Sequence, residues 1–297
     1  MTERETCLRL HFPLWQGGNN PAYYFGASLL AWLAPQNTTD VIETVNVTEP
    51  LDETNCSSLE KVEGIVGKHE IQQQLSKARY IIEQHSPEKI VTLGGDCLVD
   101  LVEFAHLCEK YGDELGILWI DTHPDVMTSK EFQHAHAMVL SALMGKNDEW
   151  LVDYVKKPIA SNRVMIAGLN NETEYEKQFI KDNSLRVYRP EDIKTKLGLI
   201  KKWIAEEKIK YLAIHIDLDV LSTMHFKSLL FSNPNVPLNH YDGIAQGLLS
   251  LEDVSGLIEE ASENSKVVGL GITEFLPWDC LNLRNMLAKF PLFNNNK

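Results

Sequence analysis

From residue 67 onward one unit recurs along the chain: an amphipathic helical pattern followed by a short, continuously apolar run. HEIQQQLSKARYIIEQH precedes KIVTLGG, and LVDLVEFAHLCEKYG precedes LGILWIDTH. Further apolar runs follow at RVMIAGL, LRVYR, KYLAIHIDLDV and VVGLGITEF, with helical patterns at IKTKLGLIKKWIAEEK, GIAQGLLS and VSGLIEEAS. A strand with one solvated face alternates apolar and polar residues. Runs this uniformly apolar are expected where both faces are covered, as in a parallel sheet between helical layers. The fold class is therefore α/β. No Gly/Pro/Ser linker interrupts the rhythm, so residues 1–297 read as a single domain. Residues 11–35 begin as a loop and continue as an apolar helix. Residues 36–66, rich in Asn, Thr and acids, read as an irregular surface excursion.

The formal net charge of -14, with no Lys/Arg cluster, argues against a nucleic-acid partner. The opening MTERETCLRL lacks an apolar core of signal-peptide length, and no segment approaches a membrane span. Five scattered cysteines (Cys7, Cys56, Cys97, Cys108 and Cys280) without a C-x-x-C pair fit reduced thiols. The chain is accordingly read as cytoplasmic, and the NVT at 46–48 and NCS at 55–57 as chance matches to a glycosylation pattern.

In open α/β sheets the functional site lies at the carboxyl ends of the strands, and three of the apolar runs end there in ionisable groups. ILWIDTHPD places Asp121, His123 and Asp125 at alternating positions, on one face if the backbone is extended. LAIHIDLDV adds Asp217 and Asp219, and VTLGGDC adds Asp96 and Cys97. Buried unpaired charges are costly, so this many carboxylates call for neutralisation, and two divalent cations serve better than one. Asp96 is expected to support the Gly-Gly turn rather than to bind metal.

In their order and spacing GGDC, DTHPD, HAHAM, HIDLDV and GITEF resemble the successive motifs of the ureohydrolases, a family that includes arginase, agmatinase and formimidoylglutamase, over about residues 67–290. The resemblance implies a three-layer α/β/α domain around a mainly parallel eight-stranded sheet, and a dinuclear manganese site. It implies that Asp121 and Asp217 bridge both ions, that His123 and Asp219 complete one, and that Asp125 and Cys97 complete the other. His136 matches the family's proton-shuttling histidine, with His134 a competitor two residues earlier, and Glu274 the glutamate that grips the guanidinium. The chemistry is coherent: two cations lower the pKa of a shared water, Asp125 aims it, His136 protonates the departing nitrogen, and Glu274 pairs with the guanidinium. The family's trimers and hexamers suggest a homo-oligomer.

Several positions depart from the family. Cys97 stands where the first motif usually has histidine, as in some relatives of the hydroxyarginine amidinohydrolase type. His215 takes the place of a serine, with Ser222 and Thr223 where Asp and Pro are usual. Met127 and Phe132 replace polar head-group contacts of arginases, and Thr173 falls at an acidic, amine-contacting position. The expected substrate is therefore a guanidine or amidine other than plain arginine. Cys97 has three readings: a thiolate ligand that shifts preference from manganese toward zinc, iron or cobalt, a non-ligand that weakens one ion's site, or a nucleophile at a helix start. An alternative of another class is a catalytically impaired relative that binds a ligand or partner subunit.

Overall fold

The computed structural model describes residues 7–37, 39–51, 59–237 and 239–290. The NCS pattern with Cys56 and the Asn-rich tail lie outside them. The strands are β1 (Cys7–Phe12), β2 (Val41–Thr44), the small hairpin of β3 (Lys61–Val62) and β4 (Ile65–Val66), β5 (Lys89–Gly94), β6 (Leu115–Ile120), β7 (Val164–Ala167), β8 (Arg186–Tyr188), β9 (Tyr211–Asp217) and β10 (Lys266–Thr273). The helices are α1 (Ala22–Leu33), α2 (Lys68–His85), α3 (Asp100–Tyr111), α4 (Val139–Leu143), α5 (Glu149–Val152), α6 (Glu174–Asp182), α7 (Pro190–Thr195), α8 (Leu199–Glu207), α9 (Leu251–Asn264) and α10 (Trp278–Leu287).

Eight strands form one sheet in the order β2-β1-β5-β10-β9-β6-β7-β8, with every neighbouring pair parallel. The period of two along each strand sends successive side chains to opposite faces. On β6, Ile117 and Trp119 join the core that contains Phe104 of α3, whereas Leu118 and Ile120 join the core that contains Trp203 of α8 and Leu257 of α9. All four β6 residues are fully buried, which explains why the strand reads as an unbroken apolar run.

Three expectations are corrected. Residues 36–66 hold the edge strand β2, and the segment ahead of the first loop is β1, so two of the eight strands were missed. In β1 the buried Leu8, Leu10 and Phe12 alternate with partly exposed Cys7, Arg9 and His11, and Arg9 pairs with Asp40 at 2.9 Å. β2 is mostly exposed at the sheet edge and has no apolar face to read. GIAQGLLS is not a helix: Leu249 forms a parallel bridge with Leu221. Gly247 also packs so closely that a Cβ would sit 2.1 Å from the Asp219 carbonyl oxygen. The single helix expected over 193–208 is broken between α7 and α8, where Gly198 takes φ 74°. Among the described residues no helix is long and apolar enough to cross a membrane.

Candidate metal centre

β5, β10, β9 and β6 are consecutive in the sheet, and their carboxyl ends deliver Cys97, Glu274, Asp217 with Asp219, and Asp121 with His123 and Asp125. Each end is shaped by its own local hydrogen bonds. After β5 the chain turns through Gly95, which lies so close to Leu14 that a Cβ would meet its carbonyl oxygen at 1.7 Å. Asp96 then caps a short 3-10 turn, accepting from Leu98 N at 3.1 Å through one oxygen and from Gly18 N at 3.0 Å through the other. Both its oxygens are committed to the turn, as expected of a supporting residue. Cys97, at the start of that turn, is buried, and its thiol donates to Asp217 Oδ2 at 3.1 Å.

The expected extended geometry of D-x-H-x-D and D-x-D is not what brings these residues together. β6 ends at Ile120, and Asp121 accepts from the His123 backbone N–H at 2.7 Å, folding the chain back. Asp125 adopts φ 49°, and its carbonyl accepts from Leu140 N at 3.0 Å. Asp217 likewise accepts from Asp219 N at 2.6 Å and caps a 3-10 turn over Leu218–Val220. Asx turns satisfy the backbone where the strands stop, so the convergence comes from tight turns. Glu274 has φ 63° and its N–H donates to Gly95 O at 2.7 Å. Left-handed backbone at non-glycine residues is uncommon and concentrates at functional sites, and it occurs here at both Asp125 and Glu274.

Ligand atoms fall into three overlapping groups, each with all members within 4.8 Å of one another: Cys97, Asp121, Asp125 and His215; Cys97, Asp217 and Glu274; Asp121, His123 and Asp219. Five carboxylates (Asp121, Asp125, Asp217, Asp219 and Glu274) are at most 3% exposed. Burial pushes Asp125 and Asp217 well above the usual carboxylate range, with Asp121 and Asp219 adding to it respectively, and raises Asp219 and Glu274 to about 7. Burial alone would lower the His123 imidazole, but Asp219, 3.2 Å from its Nδ1, and Asp121 hold it well above its ordinary value. Burial and the Asp217 charge push the Cys97 thiol far up, which disfavours the nucleophile reading. Asp125 Oδ2, Asp219 Oδ1 and His215 Nε2 are buried without a hydrogen-bond partner among the described residues. Acceptors left unpaired in such a cluster are what bound cations would satisfy, so the residues fit a metal centre.

His136 lies beside this cluster, half-buried, with Nδ1 3.1 Å from Gly17 O. Because the partner is a carbonyl, Nδ1 carries the proton and Nε2 is free to accept one. Burial holds its pKa at about 4. His134 is held at about 4 by the same cause, and its ring lies 6.2 Å from that of His136. Thr173 is exposed and caps α6 in a capping box with Glu176. Three contributors escaped the sequence reading, and His215 entered it only as a departure from the family. Tyr23 donates to Glu274 Oε2 at 2.6 Å, Trp119 Nε1 donates to Asp121 Oδ2 at 3.1 Å, and Asp100 holds the buried His215 at 2.7 Å. For His215 a signal existed, because His215, Asp217 and Asp219 alternate in HIDLD just as Asp121, His123 and Asp125 do.

The arginase family model matches residues 30–229. Arginase of Bacillus subtilis is 30% identical over 165 residues, 52% of this chain and 52% of that protein. The chain's alignments span about half the length of the curated bacterial relatives it matches. Among solved structures, Entamoeba histolytica arginase in complex with L-ornithine superposes with a TM-score of 0.75 at 19% identity, covering 92% of each chain. Formimidoylglutamase from Bacillus subtilis gives 0.61 at 14% identity, covering 93% of this chain and 82% of that one. Both superpositions concern the fold.

Proposed function

Because the chain belongs to the arginase family, we propose that it is a two-metal hydrolase cleaving a C–N bond of a linear guanidine or amidine other than plain arginine. The observation that carries this reading is the set of five buried carboxylates with unpartnered acceptors at four adjacent strand ends. Asp121 and Asp217 would serve both cations, His123 and Asp219 one of them, and Asp125 with Cys97 the other. The cations would supply Lewis acidity and a water of lowered pKa. The donor set includes a thiol, so manganese competes there with zinc, iron and cobalt.

The chain's own groups supply the rest. Asp125 Oδ2, unpartnered, accepts a hydrogen bond from the attacking water and aims it at the electrophilic carbon. Glu274, once ionised, offers a planar carboxylate to the guanidinium, and the Tyr23 hydroxyl fixes its orientation. As water oxygen bonds to the carbon, the C–N bond breaks and the departing amine takes a proton from His136, leaving urea or an amide and an amine. His136 is neutral near pH 7, so it first receives at Nε2 the proton that the water gives up.

Loading the protein separately with manganese, zinc, cobalt and ferrous iron, then screening linear guanidines and amidines for urea or amide release, tests the reading. More than one metal per chain with turnover is expected. Fewer than one metal per chain and no turnover with any metal would refute it and leave the ligand-binding relative.

A further inference from the structure

We propose that His215 is a metal ligand through Nε2, completing with Cys97, Asp121 and Asp125 the site that holds one of the two cations. This rests on reading the cluster as a metal centre, and not on hydrolysis. Position 97 carries a thiol where the family's first motif has an imidazole, while position 215 carries an imidazole where it has a hydroxyl. The imidazole has thus moved two strands across the sheet, from the end of β5 to β9, with β10 between them.

The geometry gives the ring one orientation and one free atom. His215 is fully buried, and Asp100 Oδ2 lies 2.7 Å from its Nδ1. A carboxylate acceptor there puts the proton on Nδ1 and leaves the Nε2 lone pair available. That lone pair has no hydrogen-bond partner among the described residues, and Nε2 stands 3.9 Å from Asp121 Oδ2. The ring is clamped flat against Trp119, with centroids 3.6 Å apart and planes 12° from parallel. Trp119 Nε1 donates to the same Asp121 oxygen at 3.1 Å, so one indole positions two donors. A buried histidine with a purely structural role would have both nitrogens satisfied. This one is oriented by a carboxylate on one side and left open toward three other ligand atoms on the other.

The room for Asp100 is built into β10. A Cβ on Gly271 would lie 1.8 Å from Asp100 Oδ2, so the carboxylate occupies the space that any larger residue would fill. Asp100 is fully buried and its second oxygen has no partner among the described residues, so a cation beyond the imidazole would favour its carboxylate form. One sulfur, one imidazole and two carboxylates favour zinc, cobalt or iron over manganese at this position. The set around Asp121, His123, Asp217 and Asp219 is harder, so the two cations are not equivalent.

Cobalt(II) titration of the full-length, metal-free protein, without substrate, tests the proposal. Absorption follows thiolate-to-cobalt charge transfer, and proton NMR follows paramagnetically shifted imidazole N–H signals. The expected result is a charge-transfer band together with a strongly shifted, slowly exchanging N–H from the buried His215 Nδ1. His215→Phe, which keeps a stacking ring, and His215→Gln are each expected to weaken binding of the thiolate-bound cobalt about 100-fold, and Asp100→Asn about 10-fold. A wild-type charge-transfer band without a shifted buried N–H would overturn the proposal. So would folded His215 variants that bind this cobalt as tightly as wild type. No cobalt uptake by wild type would overturn it along with the two-metal reading, whereas normal uptake without turnover would count against hydrolysis alone.

Discussion

Replacing Tyr23 with Phe deletes one oxygen from a pair whose members are both buried, the hydroxyl donating to Glu274 Oε2 at 2.6 Å. Burial holds Glu274 up at about 7, and this hydrogen bond pulls it down. A hydrogen bond to a charged acceptor is worth about 1.5–3 kcal/mol and one between neutral groups about 0.5–1.5 kcal/mol. Removing it therefore disfavours the ionised form by roughly 1 kcal/mol more than the neutral form, which raises the Glu274 pKa by about 1 unit. For an acid whose folded pKa lies above its unfolded value, stability is greatest below the unfolded pKa and falls with rising pH until the folded pKa is passed. In the variant that fall continues to about pH 8 instead of ending near 7. The loss on substitution should be about 1 kcal/mol near pH 6 and about 2 kcal/mol near pH 9. Urea unfolding of both proteins in chelator at the two pH values measures this, and groups titrating equally in both cancel in the difference. An equal loss at both pH values, or a smaller one at alkaline pH, would refute the assignment of Tyr23 as the group that keeps Glu274 ionisable.

Metal affinity should rise by at least about tenfold per pH unit between about 5 and 7, because Asp219 and Glu274 release protons near 7 and Asp125, Asp217 and Cys97 are raised as well. Competition titration against a chelator reads this, and a flat profile contradicts it. His136→Ala should lower kcat about 10²–10⁴-fold. It should leave metal content unchanged by elemental analysis, since its described hydrogen bonds run to Gly17 rather than to a ligand; loss of metal would reassign it. Gly26→Ala should destabilise by about 1–3 kcal/mol, as its Cβ would lie 1.8 Å from the Phe275 carbonyl oxygen, forcing α1 away from the segment that carries Glu274. A melting temperature equal to wild type would contradict that packing.

The sheet was legible wherever a strand is buried on both faces, because then every residue from Leu115 to Ile120 must be apolar. It was illegible in β2, where every residue but Glu43 is exposed, and in β1, where Arg9 and His11 interrupt the run. Local patterns carry no record of a partner strand distant in sequence. That is why Leu249, bridged to Leu221, sat in a stretch read as helix. The candidate ligands could be found because carboxylates at apolar strand ends are conspicuous, yet the turns that gather them were misread as extended backbone. His215 was passed over although it alternates with Asp217, since a histidine inside an apolar run looks like a core residue until its two nitrogens are examined separately.

The glycines of β10 bear on how such a protein can change. Two glycines within one strand each weaken it by roughly 0.5–1 kcal/mol relative to alanine, a loss that stabilising mutations would readily recover. At Gly271 that route is closed, because the first methyl group added would displace Asp100 and release the His215 ring it steadies. Gly269 similarly faces α3, with a Cβ falling 2.5 Å from Leu107 Cδ1 and 3.3 Å from Glu103 Oε1. Along this line between helix and sheet, selection for close packing and selection for a steadied imidazole both hold the glycines in place. Variants evolved for thermal endurance alone should gain their alanines elsewhere and keep both glycines of β10.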